Sequence, residues 1–260
     1  MLKEIKRKFL CCGTLAVLLF LMGCATPNPL KDLRFHPISS SDYTVASWYK
    51  ITKVGEPLKV YIEGDGHSFD RRGLPTDDPT PEGLFLRQLA VDDTSPNVAY
   101  LARPCQYLMS TNCCQKDWTT GRFSEQIVKT MEASVGALMK KAKAKQVILI
   151  GYSGGGMIAS LISVRHPNEI KKLITIAGVL NHKDWTEYHG NAPLVDSIDF
   201  DTKDPIFRKI NQIHYAGKKD NIVPLELSEK WVDAEHLFVV KKASHEKGFD
   251  SIYKKIWMER

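Results

Sequence analysis

Residues 146–156 read Gln146-Val147-Ile148-Leu149-Ile150-Gly151-Tyr152-Ser153-Gly154-Gly155-Gly156. The apolar run through Ile150 shows no polar alternation, the mark of a strand buried on both faces. Gly151-Tyr152-Ser153-Gly154-Gly155 follows it as G-x-S-x-G, and Met157, Ile158, Leu161 and Ile162 then set an amphipathic helical stripe that Pro167 stops. A serine between a buried strand and a helix sits on a sharp turn that needs small neighbours on both sides. The turn lifts the hydroxyl above the sheet and leaves the Gly154 amide free at the helix N-terminus, where the helix dipole favours developing negative charge. Gly154-x-Gly156-x-x-Ala159 also fits a dinucleotide-binding turn, but that motif wants an acidic residue at the end of the next strand. Here residues 173–177 run into Gly178 and Val179. A phosphate loop would need Gly-Lys-Ser/Thr, which does not occur at this turn.

Outward from this junction, short strands and helices alternate. Residues 58–62, 97–101, 173–177, 212–216 and 237–240 read as strands, and residues 44–51 as an edge strand. Ile127, Met131, Val135, Leu138 and Ala142 form one helical stripe, and Phe249, Ile252 and Ile256 mark a terminal helix. The alternation predicts an α/β fold, a mostly parallel central sheet flanked by helices on both faces. No internal repeat appears, and one domain over residues 43–260 is the better count. Residues 179–209 between two strands have room for at most a small cap, with Trp185, Tyr188, Pro193 and Phe200 either lining it or packing inside it.

G-x-S-x-G in this strand–turn–helix context resembles the nucleophile elbow of the α/β-hydrolase superfamily, in particular its small bacterial lipoprotein-type serine hydrolases. Residues 101–107 (Leu-Ala-Arg-Pro-Cys-Gln-Tyr) and Trp118-Thr119-x-x-Arg122-Phe123-Ser124 look like further features of that group. The resemblance covers most of the chain from about Leu58 onward, and it implies a triad in the order Ser, acid, His. His245 stands in a short loop after residues 237–240, where the superfamily places its base. His214 and His236, within and just before probable strands, read as structural. Gly217-Lys218-Lys219-Asp220-Asn221-Ile222-Val223-Pro224 is similar to the superfamily's G-x-x-D-x-x-V-P turn. Asp220 is therefore the implied acid, with Asp204 in reserve. Glu246 beside His245 begins a zinc-protease pattern, but position 249 is Phe, so the second ligand is missing.

The second oxyanion donor is implied in the loop after residues 58–62, Glu63-Gly64-Asp65-Gly66-His67-Ser68. The Asp65 amide matches best, with Gly66 next, alongside Gly154. Two carboxylates here would oppose an oxyanion. Glu63 and Asp65 are therefore expected to point away and pair with Arg71 or Arg72, or else to select a cationic substrate group. The implied chemistry is acyl transfer on a carboxylic ester, with thioester or peptide cleavage open, and it calls for no metal or organic cofactor. The rival from another class is an envelope lipoprotein that keeps the fold without turnover.

The N-terminus reads as an address. Lys3, Lys6, Arg7 and Lys8 face only Glu4, and the apolar run 9–22 is shorter than a membrane span. It ends in Leu21-Met22-Gly23-Cys24, which resembles the bacterial lipobox. That implies a signal peptide over residues 1–23, lipid on Cys24 and a tether over residues 24–42, proline-rich between Thr26 and Pro37. Two or more acyl chains anchor stably to membrane. In a Gram-negative source, Ala25 rather than Asp after the cysteine favours the outer membrane.

Composition is that of an ordinary globular protein: 43% hydrophobic and 25% charged residues exclude disordered, collagen-like and multi-span chains. The net charge of +6 is half N-terminal, and no basic stripe interleaved with aromatics argues for nucleic acid. Cys105, Cys113 and Cys114 remain after export. An oxidising compartment favours one disulfide, from Cys105 to Cys113 or Cys114. A metal site built on the three thiols lacks further ligands at zinc spacing.

Overall fold

The apolar runs become the centre of one eight-stranded sheet. The computed structural model describes Leu30, residues 32–40 and residues 42–259. In chain order the strands are β1 (Arg34–Phe35), β2 (Ile38–Ser39), β3 (Thr44–Val45), β4 (Ser47–Ile51), β5 (Leu58–Ile62), β6 (Asn97–Leu101), β7 (Val147–Tyr152), β8 (Ile170–Ile176), β9 (Gln212–Gly217) and β10 (Leu237–Val240). The helices are α1 (Phe85–Asp92), α2 (Glu125–Ala142), α3 (Gly154–Arg165), α4 (His182–Tyr188), α5 (Pro205–Lys209), α6 (Leu225–Trp231) and α7 (Asp250–Met258). The large sheet runs β1-β4-β6-β5-β7-β8-β9-β10, while β2 and β3 form a separate antiparallel pair. Pairing is parallel from β6 to β10 and antiparallel where β4 meets β1 and β6.

Strand alternation splits the core into two layers. Leu58, Val60, Ile62, Val147 and Leu149 face the layer that holds α2, α3 and α6. Tyr61, Ile148 and Ile150 face the layer that holds α1 and α7. This is the predicted α/β architecture with both faces covered. Because β6 and β7 lie on opposite sides of β5, the chain reverses its direction of winding there. The carboxyl ends of β5 and β7 therefore open onto the crevice where α/β sheets place ligands.

Three expectations are corrected. The predicted edge strand 44–51 breaks at Ala46: its first part pairs with β2, and its second is covered by β1, which forms the edge. The stripe on α3 widens to all but its last two residues: every residue from Gly154 to Ser163 is buried because the sheet, α2 and α5 surround it. The tether drawn to residue 42 is too long, since Leu30 and Leu33 are buried in the same layer as Ala46 and Tyr100. The expected signal peptide, the expected lipid site Cys24 and the start of the expected tether lie outside the described residues.

Candidate active site

The turn after β7 holds Ser153 at φ +50°, ψ −124°, a conformation that an L-residue adopts only when its surroundings impose it. The surroundings are tight. A Cβ on Gly151 would run into the Gly155 carbonyl. The Ser153 amide donates to the Ile176 carbonyl at 3.1 Å, and its own carbonyl accepts from Gly156 and Val179 at 2.9 and 3.0 Å. Gly154 opens α3, so no carbonyl of the helix precedes it to accept its amide.

His245 meets Ser153 from the loop after β10. Its Nε2 lies 3.0 Å from Ser153 Oγ and its Nδ1 lies 2.9 Å from Asp220 Oδ2. The Asp220 side chain is fully buried, and its Oδ1 accepts from the Ile222 and Val223 amides at 2.9 Å each. Those two bonds orient the carboxylate, leaving Oδ2 for the imidazole. Because an ionised carboxylate only accepts, Nδ1 carries the proton and Nε2 presents a lone pair to the serine. Asp204 caps α5, accepting from the Ile206 amide at 2.6 Å, and takes no part. His214 is buried in β9 between Thr175 Oγ1 and Gln212 Oε1, each at 2.7 Å. His236 precedes β10 and pairs with Glu235 at 3.4 Å.

Ser153 and His245 border a cavity of about 520 Å³, lined among others by Phe85, Phe123, Tyr152, Val179, Trp185 and Leu194. Of the four aromatic or proline wall candidates, Trp185 alone lines it. Tyr188 is exposed and donates to Glu226 at 2.7 Å, Pro193 is exposed, and Phe200 packs edge-on against Phe207. Tyr152, which sequence reading passed over as the variable residue of the motif, is buried against Phe85 and His245. Its hydroxyl has no hydrogen-bond partner among the described residues.

The loop after β5 brings Gly64, Asp65 and Gly66 to the same cavity, beside Ser153. Its two carboxylates are engaged, but not by Arg71 or Arg72 as expected. Arg72 pairs with Asp70 at 2.8 Å and Arg71 is exposed. Glu63 accepts from the Tyr100 hydroxyl at 2.5 Å and from the Gly64 amide at 2.8 Å, and burial pushes its carboxyl pKa up. Asp65 pairs with Arg122 at 2.7 Å and Arg103 at 3.3 Å. Both acids are thus committed to protein partners, which removes the basis for cation selection by them. The two arginines stood in strings noted in the sequence, yet nothing local linked them to position 65.

Cys105 is bonded to Cys113, one of the two pairings left open, and Cys114 is an exposed free thiol. The bond occupies two of the three sulfurs a metal site there would have used.

The alpha/beta hydrolase fold family matches residues 46–194, and the chain belongs to that family. No functionally curated protein matches the sequence. Among solved structures it is similar to an acylaminoacyl peptidase from Pyrococcus horikoshii (TM-score 0.55, 14% identity), covering 86% of this chain but only 40% of that longer one. It is similar to Est1E of Butyrivibrio proteoclasticus, solved with ferulic acid bound (TM-score 0.57, 16% identity, 85% of this chain and 94% of that one). An esterase from Pyrococcus furiosus gives a TM-score of 0.56 at 13% identity over 92% of this chain and 96% of its own. At such identities the likeness is one of fold.

Proposed function

We propose that the chain is a serine hydrolase that cleaves a carboxylic ester, or a related acyl bond, through an acyl-enzyme on Ser153. The observation that carries this reading is the single imidazole that spans Ser153 and Asp220 at 3.0 and 2.9 Å. A serine hydroxyl is a poor nucleophile until a base takes its proton. His245 Nε2 accepts that proton as Oγ attacks the carbonyl carbon, and Asp220 stabilises the imidazolium. The Gly154 and Asp65 amides, with Gly66 adjacent, hold the oxyanion. His245 then protonates the leaving group, and water releases the acyl group by the same route in reverse. Esters are the first choice because alkoxides leave more readily than amines. Thioesters and peptides remain rivals on the same residues, and the enzyme works while anchored to the cell envelope through lipid on Cys24.

A fluorophosphonate probe tests the reading, followed by acyl esters of graded chain length. The wild type should label and turn over esters, and Ser153→Ala should do neither while keeping its fold. A wild type that is folded yet neither labels nor hydrolyses would point to the non-catalytic lipoprotein.

A further inference from the structure

Asp65 puts a negative charge where the proposed chemistry develops another. Its carboxylate fills the space a Cβ on Gly154 would take, so it lies against the first residue of α3. In a site shielded from water, an uncompensated carboxylate this close would raise the energy of an oxyanion.

Two guanidinium groups answer it, one on each oxygen. Arg122 Nη1 reaches Oδ2 at 2.7 Å and Arg103 Nη1 reaches Oδ1 at 3.3 Å, from side chains only 7% and 5% exposed. Both arginines are held by more than their ion pair. Arg122 Nε donates to the Thr119 carbonyl at 2.8 Å, and Arg103 Nη2 donates to the Arg122 carbonyl. Arg103 stacks over Phe123 and Arg122 over Phe69. Burial draws the Arg103 guanidinium down to about 10, which leaves it charged at neutral pH. With two cations to one anion, the cluster carries one net positive charge.

The three residues come from three separate places: Asp65 just after β5, Arg103 just after β6, and Arg122 just before α2. Fixing the Asp65 side chain also fixes the Asp65 main chain beside Ser153.

We propose that Arg103 and Arg122 are positioning residues of the oxyanion site: acting through Asp65, they hold its amide in place and turn a negative locus into a net positive one. The inference rests on the serine-hydrolase reading.

The test uses the full chain and a neutral aryl ester. Arg122→Gln keeps a polar side chain but removes the charge and the Nη1 atom that reaches Asp65. It should lower kcat by about 10–100-fold with KM changed less than about threefold, since a transition-state interaction is lost rather than uniform binding. Affinity for a trifluoromethyl ketone, which forms an oxyanion on Ser153, should fall by about the same factor as kcat/KM. Arg122→Lys should recover much of the loss. If Arg122→Gln does not fold, Arg103→Lys serves: it keeps the charge but cannot hold Asp65 and the Arg122 carbonyl through two separate nitrogens, and kcat should fall by about 3–10-fold. Wild-type kcat and ketone affinity in these variants, or a change confined to KM or to melting temperature, would overturn the inference alone. Absence of both labelling and turnover in the wild type would overturn the hydrolase reading along with it.

Discussion

Gly64 and Ser153 touch across the cavity mouth: a Cβ on Gly64 would stand 3.1 Å from the Ser153 Cβ and 3.2 Å from the Tyr152 carbonyl oxygen. The atoms it would meet belong to the turn whose backbone conformation is already imposed, so they have little freedom to retreat. The loop carrying the proposed second oxyanion donor is thereby seated directly on the nucleophile.

Gly64→Ala should therefore displace either the serine or the loop by a few tenths of an ångström. Misplacement on that scale costs rate steeply, and about a tenfold fall in kcat is expected, with thermal stability little changed. Steady-state kinetics and the rate of fluorophosphonate labelling should decline together. Unchanged values for both would mean that the loop yields without consequence.

Cys24→Ser addresses the anchor, which lies outside the described residues. The variant lacks the thiol that the proposed thioether needs. It should lose detergent-phase partitioning and metabolic incorporation of labelled fatty acid, or accumulate as uncleaved precursor. Mature Cys24→Ser protein that still carries labelled acyl chains would refute the lipobox reading.

The three residues of the proposed triad, which the structure brings within hydrogen-bond distance of one another, could be picked out in the sequence because each sits in its own short local pattern and the three follow a fixed chain order. The loop proposed to carry the second oxyanion donor could be placed beside Ser153 in the same way, but its electrostatics could not. Asp65 lies six and seven positions from Arg71 and Arg72, whereas its partners are 38 and 57 residues away. Only the arrangement of the sheet brings the ends of β5 and β6 and the start of α2 together. Lys59 shows the same limit. It interrupts an apolar strand and would read as a solvent-facing position, yet it is buried. Its Nζ donates to the Ile256 and Trp257 carbonyls at 2.8 Å each and lies 3.3 Å from Asp93, so partners come from the ends of α7 and α1. Strands of two residues, such as β1 and β2, are too short to show any period, which is why the expected tether was drawn across them.

His214 gives a pH dependence of stability. Gln212 Nε2 donates to the Phe207 carbonyl, so Oε1 is the atom turned to the imidazole; it accepts from His214 Nε2, while Nδ1 accepts from Thr175. The ring is therefore neutral. Burial, with His236 nearby, draws its pKa down to about 3. An unfolded histidine binds a proton near pH 6.5, and folded His214 does so only near 3. The stability this site permits above pH 6.5 is thus lost progressively as pH falls toward 3, by at most about 1.4 kcal/mol per pH unit. Melting curves between pH 7.5 and 4.5 should show a steeper decline for wild type than for His214→Gln. Parallel curves would mean that another group dominates.

The Cys105–Cys113 bond closes a loop with a sequence separation of 8. A closure of that length should stabilise the fold by about 2–3 kcal/mol through the unfolded chain. It also affects the site. Cys105 lies between Arg103, which holds Asp65, and Gln106, whose Nε2 donates to the Gly64 carbonyl at 3.0 Å. Cys105 and Tyr107 both adopt positive φ, at 71° and 62°, so the segment follows a path that free L-residues would leave. Reduction should therefore lower the melting temperature and, in protein kept well below it, lower kcat as well. Oxidised mature protein carrying lipid on Cys24 should alkylate at Cys114 alone in non-reducing peptide mapping. Alkylation of Cys105 or Cys113 in that sample would refute the bond, and a kcat indifferent to reduction would separate the bridge from the site.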